Sequence, residues 1–216
     1  MNTNSYPYFG SASGSRAMKL ERVKIAFQFL LMTVCSLIIG FLISGALSDG
    51  FYEKSVLGVS SHFETLFINC SEPYDYISCI ALYSVYDIIC IAVVFFVSFA
   101  AFNYVATDFV LIYNGTRFGL AVSFLSAFID SQRYSYGIGI IRYIVFIFFK
   151  TAILILLFGY SYRAAILSGE LRRMGANGRI VINPKTLLYF LLYTFANIGS
   201  VLLLNGLYCW LIYILK

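Results

Sequence analysis

The sequence predicts an all-α membrane protein, a polytopic helical bundle with about five transmembrane helices. Of its 216 residues, 61% are apolar, whereas soluble domains contain about 45–50%. The apolar residues fall in long runs, and about 20 helical residues are enough to cross a hydrocarbon core of about 30 Å. Only 12% of residues are charged, and the basic ones gather at the ends of the runs, which is typical of orientation in a membrane. The lipid bilayer is therefore the first predicted partner, and nothing in the sequence is typical of nucleic-acid binding.

The N-terminal segment, residues 1–23, is rich in Ser, Gly, Asn and Tyr and shows no apolar period, which predicts a disordered cytoplasmic tail. Four basic residues stand just before the first span: Arg16, Lys19, Arg22 and Lys24. That span covers residues 25–47, and a cleaved signal peptide would have an apolar core of only about 7–15 residues. We therefore interpret it as an uncleaved anchor with the N-terminus in the cytoplasm.

Residues 48–79 form a polar, acidic segment in which Lys54 is the single Lys or Arg residue. Because loops depleted in Lys and Arg lie outside, this segment is predicted to be an extracytoplasmic loop. Apolar residues at helical spacing predict a short amphipathic helix within it. Cys70 and Cys79 would face an oxidising compartment, where they could form a disulfide or remain free thiols.

The rest of the chain predicts four further spans, at residues 80–102, 106–128, 138–167 and 186–215. A tight turn is predicted at residues 103–107, between the second and third spans. Residues 168–185 are rich in Arg and are predicted to be a cytoplasmic loop. An odd number of spans places both basic segments on one side, so the C-terminus is predicted to be extracytoplasmic. Residues 24–216 are then one transmembrane domain.

Polar side chains inside the predicted spans are the candidate functional residues: Asp87, Asn114, Arg117 and Lys150. A charge at the membrane centre costs about 2.5–3.5 kcal/mol on insertion scales, so these groups should face one another or a cavity. Asp87 can neutralise only one of the two deep cations. The excess positive charge is consistent with an anion, a partner's carboxylate, or Arg117 reaching the cytoplasmic interface. Arg142 lies shallower and can snorkel.

Two glycine pairs are predicted to lie at helix-packing positions. Gly115 and Gly119 are four residues apart, so they share a helix face and allow a second helix to approach closely. Gly199 and Gly206 are seven apart and lie on nearly one face of the last span. The polar residues beside Gly115 and Gly119 leave two interpretations open, a packing seam with a satisfied polar group or a working site in the bundle.

The sequence contains no HExxH or GxSxG motif, and His62 is its single histidine. The five cysteines form no CxxC motif, so no catalytic residue, metal site or cofactor is predicted. Two classes of function remain. Glycine seams and a sizeable outer loop favour an interaction scaffold, whereas the deep charges favour a membrane subunit of a transporter or channel.

The run over residues 97–125, VSFAAFNYVATDFVLIYNGTRFGLAVSFL, together with five spans and an acidic outer loop, resembles the stage II sporulation protein M family. The motif positions that carry the resemblance are Asn114, Gly115, Arg117 and Gly119. The likeness extends from about residue 25 to the C-terminus. It implies a non-enzymatic scaffold of the cell membrane that recruits other membrane or extracytoplasmic proteins. In spore formers, these are peptidoglycan hydrolases that cleave the cell wall during engulfment.

Overall fold

The computed structural model describes residues 12–46, 73–99, 103–130, 136–174 and 180–215. These residues form five long helices and one short hairpin. The helices are α1 (Ala12–Ala46), α2 (Pro73–Val97), α3 (Asn103–Asp130), α4 (Tyr136–Leu171) and α5 (Pro184–Ile214). The hairpin pairs strand β1 (Arg172–Met174) with strand β2 (Ile180–Ile182) in antiparallel register. The predicted helical fold class is confirmed.

Three helices contain segments long and apolar enough to cross a membrane: Leu20–Ser44 in α1, Ile140–Ser168 in α4 and Pro184–Ile214 in α5. A shorter apolar segment, Tyr83–Val97, lies in α2. Over its described residues α3 is less apolar, because it carries Asp108, Asn114 and Arg117. Length and composition thus indicate a membrane protein and account for three of the predicted spans. The five-span topology stays a prediction.

Some helix boundaries differ from the predicted ones. α1 begins at Ala12, within the segment for which the sequence predicts a disordered tail. Once a helix has formed, extending it adds one hydrogen bond for each residue that is fixed, so an apolar span can propagate into weaker flanking sequence. α3 begins at Asn103, where the sequence predicts a turn. α2 begins at Pro73, so the predicted outer loop ends earlier than expected, and the rest of that loop lies outside the described residues.

The basic segment over residues 168–185 is not a single loop, because it contains the end of α4, the hairpin and the start of α5. Local chemistry explains the start of α5. The side-chain oxygen of Asn183 accepts a hydrogen bond from the backbone N–H of Lys185 at 3.1 Å, which caps the helix. Pro184 follows in the first turn, where its missing N–H leaves no helical hydrogen bond unmade.

The helices pack in two connected groups. α1 lies along α3, α5 packs against both α2 and α4, and contacts between α3 and α4 join the groups. The ring of Tyr208 in α5 lies 5.2 Å from the ring of Tyr83 in α2 and 6.0 Å from the ring of Phe146 in α4, centroid to centroid. All three rings are buried and meet edge to face, an arrangement that aromatic quadrupoles favour. These rings fix α2, α4 and α5 around a common core.

The outside of the bundle is apolar. Phe27 on α1, Phe148 on α4 and Phe195 on α5 are 65–67% exposed, and many Leu and Ile side chains on the same helices are similarly exposed. Several polar side chains are buried instead, among them Asp87 and Asn205. Water would disfavour so large an apolar surface, whereas lipid solvates it. Polar groups turned inward and apolar groups turned outward are what a bilayer favours.

Candidate functional site

Asp87 is the centre of a charged cluster inside the bundle. Its carboxylate lies on α2 and has two cationic partners on two other helices. Nη1 of Arg117, on α3, lies 3.2 Å from Oδ1, and Nζ of Lys150, on α4, lies 3.5 Å from Oδ2. The Asp87 side chain is only 5% exposed, so this carboxylate depends on protein partners rather than on solvent. The structure therefore brings together the three deep charges that the sequence identifies.

Asn205 on α5 extends the cluster to a fourth helix. Its Oδ1 accepts a hydrogen bond from Nζ of Lys150 at 3.1 Å. Its Nδ2 donates to Oγ of Ser84 at 3.2 Å and to Oδ2 of Asp87 at 3.5 Å. Asn205 is fully buried, and both ends of its amide are used. Side chains from α2, α3, α4 and α5 thus meet in one cluster around Asp87.

Two tyrosines on α2 complete the surroundings of the cations. The guanidinium carbon of Arg117 lies 4.9 Å from the ring centroid of Tyr86. The ammonium nitrogen of Lys150 lies 4.7 Å from the ring centroid of Tyr83. The face of an aromatic ring attracts a cation, by about 2 kcal/mol or more where water is excluded. These rings therefore stabilise positive charge where lipid cannot.

Asn114 lies on α3, one turn before Arg117, and links α3 to α2. Its Nδ2 donates to the backbone carbonyl of Val110 at 2.9 Å and to Sγ of Cys90 at 3.1 Å. The first bond stays within α3, and the second crosses to α2. Asn114 is buried, and it belongs to the contact between these helices, next to the charged cluster.

The charged cluster contains two cations and one carboxylate, a formal excess of one positive charge. The two cations differ in accessibility. The Lys150 side chain is 12% exposed, whereas the Arg117 side chain is 28% exposed. The excess charge is therefore most accessible at Arg117, on the outer side of the α2–α3 pair.

A glycine seam, formed by Gly40, Gly115 and Gly119, holds α1 against α3. A Cβ atom added at Gly115 would lie 2.8 Å from the carbonyl oxygen of Thr33, and one at Gly119 would lie 2.9 Å from the backbone nitrogen of Phe41. A Cβ at Gly40 would overlap the backbone of Thr116 in return. Backbones this close leave no room for any side chain. The structure thus places Gly115 and Gly119 in a packing seam, as their spacing suggests.

Among the described residues, Gly199 and Gly206 do not form a second seam within the chain. A Cβ at Gly199 would meet no atom of the described chain within 4 Å, and one at Gly206 would meet only the end of the Ile80 side chain, at 3.8 Å. Seven-residue spacing places two glycines on one face, but it does not determine whether that face meets another helix. Here Gly199 lies on the exposed side of α5.

Arg142, near the start of α4, contacts the C-terminal end of α5. It is buried, and its Nη2 donates a hydrogen bond to the backbone carbonyl of Leu215 at 3.0 Å. Leu215 caps the C-terminal end of α5, where the last carbonyls have no helical donor and carry partial negative charge. The guanidinium therefore provides a hydrogen-bond donor for a carbonyl group at the C-terminal end of α5.

The remaining predicted site is the possible disulfide between Cys70 and Cys79. Cys79 belongs to α2, whereas Cys70 lies outside the described residues, so the disulfide stays a prediction. Of the cysteines that the structure describes, Cys35, Cys90 and Cys209 are free thiols. Within the same part of the chain, no three His, Cys, Asp or Glu residues lie together as metal ligands would.

Sequence analysis missed Asn205, Ser84 and Gly40. An amide and a hydroxyl are uncharged, so neither stands out in an apolar span as a charge does. A usable indication for Asn205 is its position beside Gly206 within the last span, where an amide needs a partner. Gly40 lies within an ordinary apolar run of α1. A single glycine in such a run does not indicate that another helix packs against it.

Comparisons with known proteins assign no family to the chain. No family model, curated protein or solved structure matches it. A functional conclusion therefore depends on the charged cluster, the glycine seam and the distribution of polar and apolar side chains.

Proposed function

We propose that this protein is a five-span integral protein of the cell membrane that acts as a non-enzymatic scaffold for partner proteins. The observation that carries the proposal is the charged cluster around Asp87, which connects α2, α3, α4 and α5. The glycine seam adds α1 to the same unit by holding it on α3. All five helices are then held in one fixed arrangement, which suits a protein that presents surfaces to others.

The energy of the charged cluster favours a static frame over a moving one. Secondary transporters rock one group of helices against another in each cycle. If α4 moved away from α2, Lys150 would separate from Asp87. Breaking a buried ion pair so that one charge is left alone costs about 3–5 kcal/mol. Contacts that are so costly to break are expected in a bundle that keeps its shape.

In this proposal α2 and α3 also span the membrane, although neither contains an apolar segment as long as those of α1, α4 and α5. Their polar residues, above all Asp87 and Arg117, satisfy one another inside the bundle, which reduces the cost of placing them in lipid. Five spans put the basic residues before α1 and those between α4 and α5 on the same side. By the positive-inside rule that side is cytoplasmic, so the N-terminus is cytoplasmic and the C-terminus extracytoplasmic.

The partners we propose are other membrane or extracytoplasmic proteins. The acidic segment over residues 48–79 faces the outside in this topology, and its charge favours a basic partner surface. The resemblance of residues 97–125 to the stage II sporulation protein M family supports one partner class, peptidoglycan hydrolases acting during engulfment. The proposal includes no nucleic acid, metal or cofactor.

A membrane subunit of a transporter or channel is the second candidate. The specific observation in its favour is the excess positive charge deep in the bundle, at Arg117 and Lys150. Ionisable residues at this depth often line ion or substrate paths. The transport hypothesis predicts flux, which a scaffold does not require.

Crosslinking and pull-down from native membranes test the scaffold proposal. Tagged wild-type protein is compared with Gly119→Leu, which forces α1 away from α3, and with Gly199→Leu, the same substitution at an exposed site. We expect wild type and Gly199→Leu to recover the same partner, and Gly119→Leu to insert into the membrane but lose that partner. The purified protein is also tested for solute flux in liposomes. A flux that is lost in Arg117→Gln would contradict the scaffold proposal and support transport.

A further inference from the structure

The outer face of the α2–α3 pair combines an apolar surface with one accessible positive charge. On α2 the exposed side chains include Tyr86, Ile89 and Val93, and on α3 they include Phe109 and Tyr113. Phe109, Tyr113 and Arg117 are four residues apart in turn, so they form one stripe along α3. The contact of Arg117 with Tyr86 joins this stripe to α2. We call these six residues the docking face.

The charge of the docking face lies near the middle of α3, which the proposed five-span topology places near the membrane centre. Arg117 is about 21 Å from the first residue of α3 and about 20 Å from the last, at 1.5 Å per residue. Its guanidinium contacts Asp87 and the ring of Tyr86, which both lie on α2. Since headgroups begin about 15 Å from the membrane centre, a lipid phosphate lies beyond the reach of a side chain held in this way.

An arginine can form hydrogen bonds to a second carboxylate while it remains paired with the first. Its guanidinium carries five N–H donors arranged as a fork, and the hydrogen bond to Asp87 comes from Nη1. Asp87 already interacts with two cations, so it does not neutralise Arg117 in full. The cluster thus keeps one formal positive charge in excess, and a further negative group can approach it at the partly exposed side of Arg117.

We propose that the docking face binds a transmembrane helix of a partner protein that carries a single carboxylate near its centre. The carboxylate pairs with Arg117, and the apolar residues of that helix pack on the exposed side chains around it. A second copy of this chain is disfavoured as the occupant, because it would bring another excess positive charge to the same depth. The inference rests on the scaffold function proposed above and specifies how one partner is held.

A model helix of defined sequence tests this docking directly. The probe is a synthetic polyleucine transmembrane peptide with one central Asp, compared with the same peptide carrying Asn. Association with the purified full-length chain is measured by energy transfer in phosphatidylcholine vesicles at about pH 8, and pairing with Arg117 favours the ionised form of the peptide's carboxyl group. We expect the Asp peptide to bind about threefold to thirtyfold more tightly, the range for one polar contact between helices in lipid.

Two variants locate the contact. Arg117→Gln removes the charge, and Tyr113→Glu supplies a carboxylate one turn away in the same chain while leaving the charged cluster intact. Both should abolish the preference for Asp over Asn. Arg163→Gln, which changes an exposed cation on α4, should leave the preference unchanged. A preference that survives in Arg117→Gln or in Tyr113→Glu overturns the proposal.

Two further arms separate this partner from other anions. Adding sulfate, or replacing a fraction of the lipid by phosphatidylglycerol, should leave binding of the Asp peptide unchanged. Displacement of the peptide by either one, dependent on Arg117, would overturn the helix proposal in favour of a free anion or a headgroup. Equal binding of the Asp and Asn peptides also overturns it. If the pull-down still recovers a partner in that case, the scaffold function stands and only the docking face is rejected.

Discussion

Asp87 is the most important charge in the bundle interior because both Arg117 and Lys150 interact with it. A single carboxylate that bridges two cations stabilises both, and each cation also has a tyrosine ring beside it. Removing the carboxylate leaves two positive charges close together in a medium of low dielectric constant. Removing one cation leaves a matched pair. Loss of Asp87 is therefore expected to destabilise the bundle more than loss of either cation.

A double-mutant cycle on Asp87 and Lys150 tests this inequality. Asp87→Asn alone should lower the free energy of unfolding by about 3–5 kcal/mol, because it leaves both cations without an anion. Lys150→Met should cost less, about 1–3 kcal/mol, because Asp87 keeps Arg117. The double variant should be more stable than Asp87→Asn, because one unpaired cation has been removed.

The measurement is unfolding in mixed micelles, with Arg163→Gln as a control that should change stability by less than about 0.5 kcal/mol. A cycle with a coupling energy near zero would mean that Asp87 and Lys150 do not stabilise each other. In that case the ion pair with Arg117 alone accounts for the burial of Asp87.

At the scale of single residues, charges could be predicted from the sequence and their partners only in part. A charge in an apolar run is easily seen, and the cost of burying it implies a partner. The identity of that partner depends on helix rotation and packing. Arg142 shows the difficulty, since its partner is a backbone carbonyl at the end of α5, and a backbone group cannot be recognised from residue types.

At the scale of helices, the α1–α3 contact is determined by backbone approach rather than by side-chain interdigitation. Gly40 on α1 lies against the backbone of α3, and Gly115 and Gly119 on α3 lie against the backbone of α1. At one end of this pair Nε2 of Gln28 donates a hydrogen bond to Oδ2 of Asp108 at 2.6 Å. The glycines fix the distance between the helices, and the polar pair helps fix their register.

Gly119→Leu should therefore destabilise the fold, whereas Gly199→Leu should not. The first substitution places four carbon atoms where the backbone of α1 lies, and overpacking typically costs about 1–3 kcal/mol. The second adds the same atoms at an exposed site on α5, where Leu also has the higher helix propensity. Thermal unfolding in detergent compares the two.

Gly115→Leu provides an independent check, because it tests the same seam one turn away. Equal unfolding temperatures for Gly119→Leu and Gly199→Leu would show that α1 is not held by the seam. A loss in Gly119→Leu without a loss in Gly115→Leu would place the close approach at Gly119 only.

The helices themselves were predictable because apolar length is a strong indicator of membrane helices, whereas their ends and partners were not. Composition favours α1, α4 and α5 as spans, and these segments have the required length and apolarity. The hairpin at Arg172–Met174 and Ile180–Ile182 lies in a basic segment without the alternating pattern that predicts strands. Which glycine faces a neighbour depends on the rotation of each helix, which a single sequence does not specify.

At the scale of the whole molecule, the bundle is organised with polar groups inside and large apolar side chains outside. α3 contributes most to this organisation, since it packs against α1 through glycine and against α2 and α4 through the charged cluster. It is also the helix that lipid would tolerate least by itself, because its polar residues need those partners. Insertion of α3 is thus expected to depend on its neighbours.

The five-span topology predicts which ends of the helices reach the outside. Lys185 at the start of α5 and Gly137 at the start of α4 are both exposed, but the proposed topology places them on opposite sides of the membrane. In a background without native thiols, Gly137→Cys should react with an impermeant thiol reagent in intact cells. Lys185→Cys should react only after the membrane is made permeable. Because the two sites have similar exposure, a difference in reaction reports the membrane side rather than local burial, and reaction of Lys185→Cys in intact cells would exclude five spans with a cytoplasmic N-terminus.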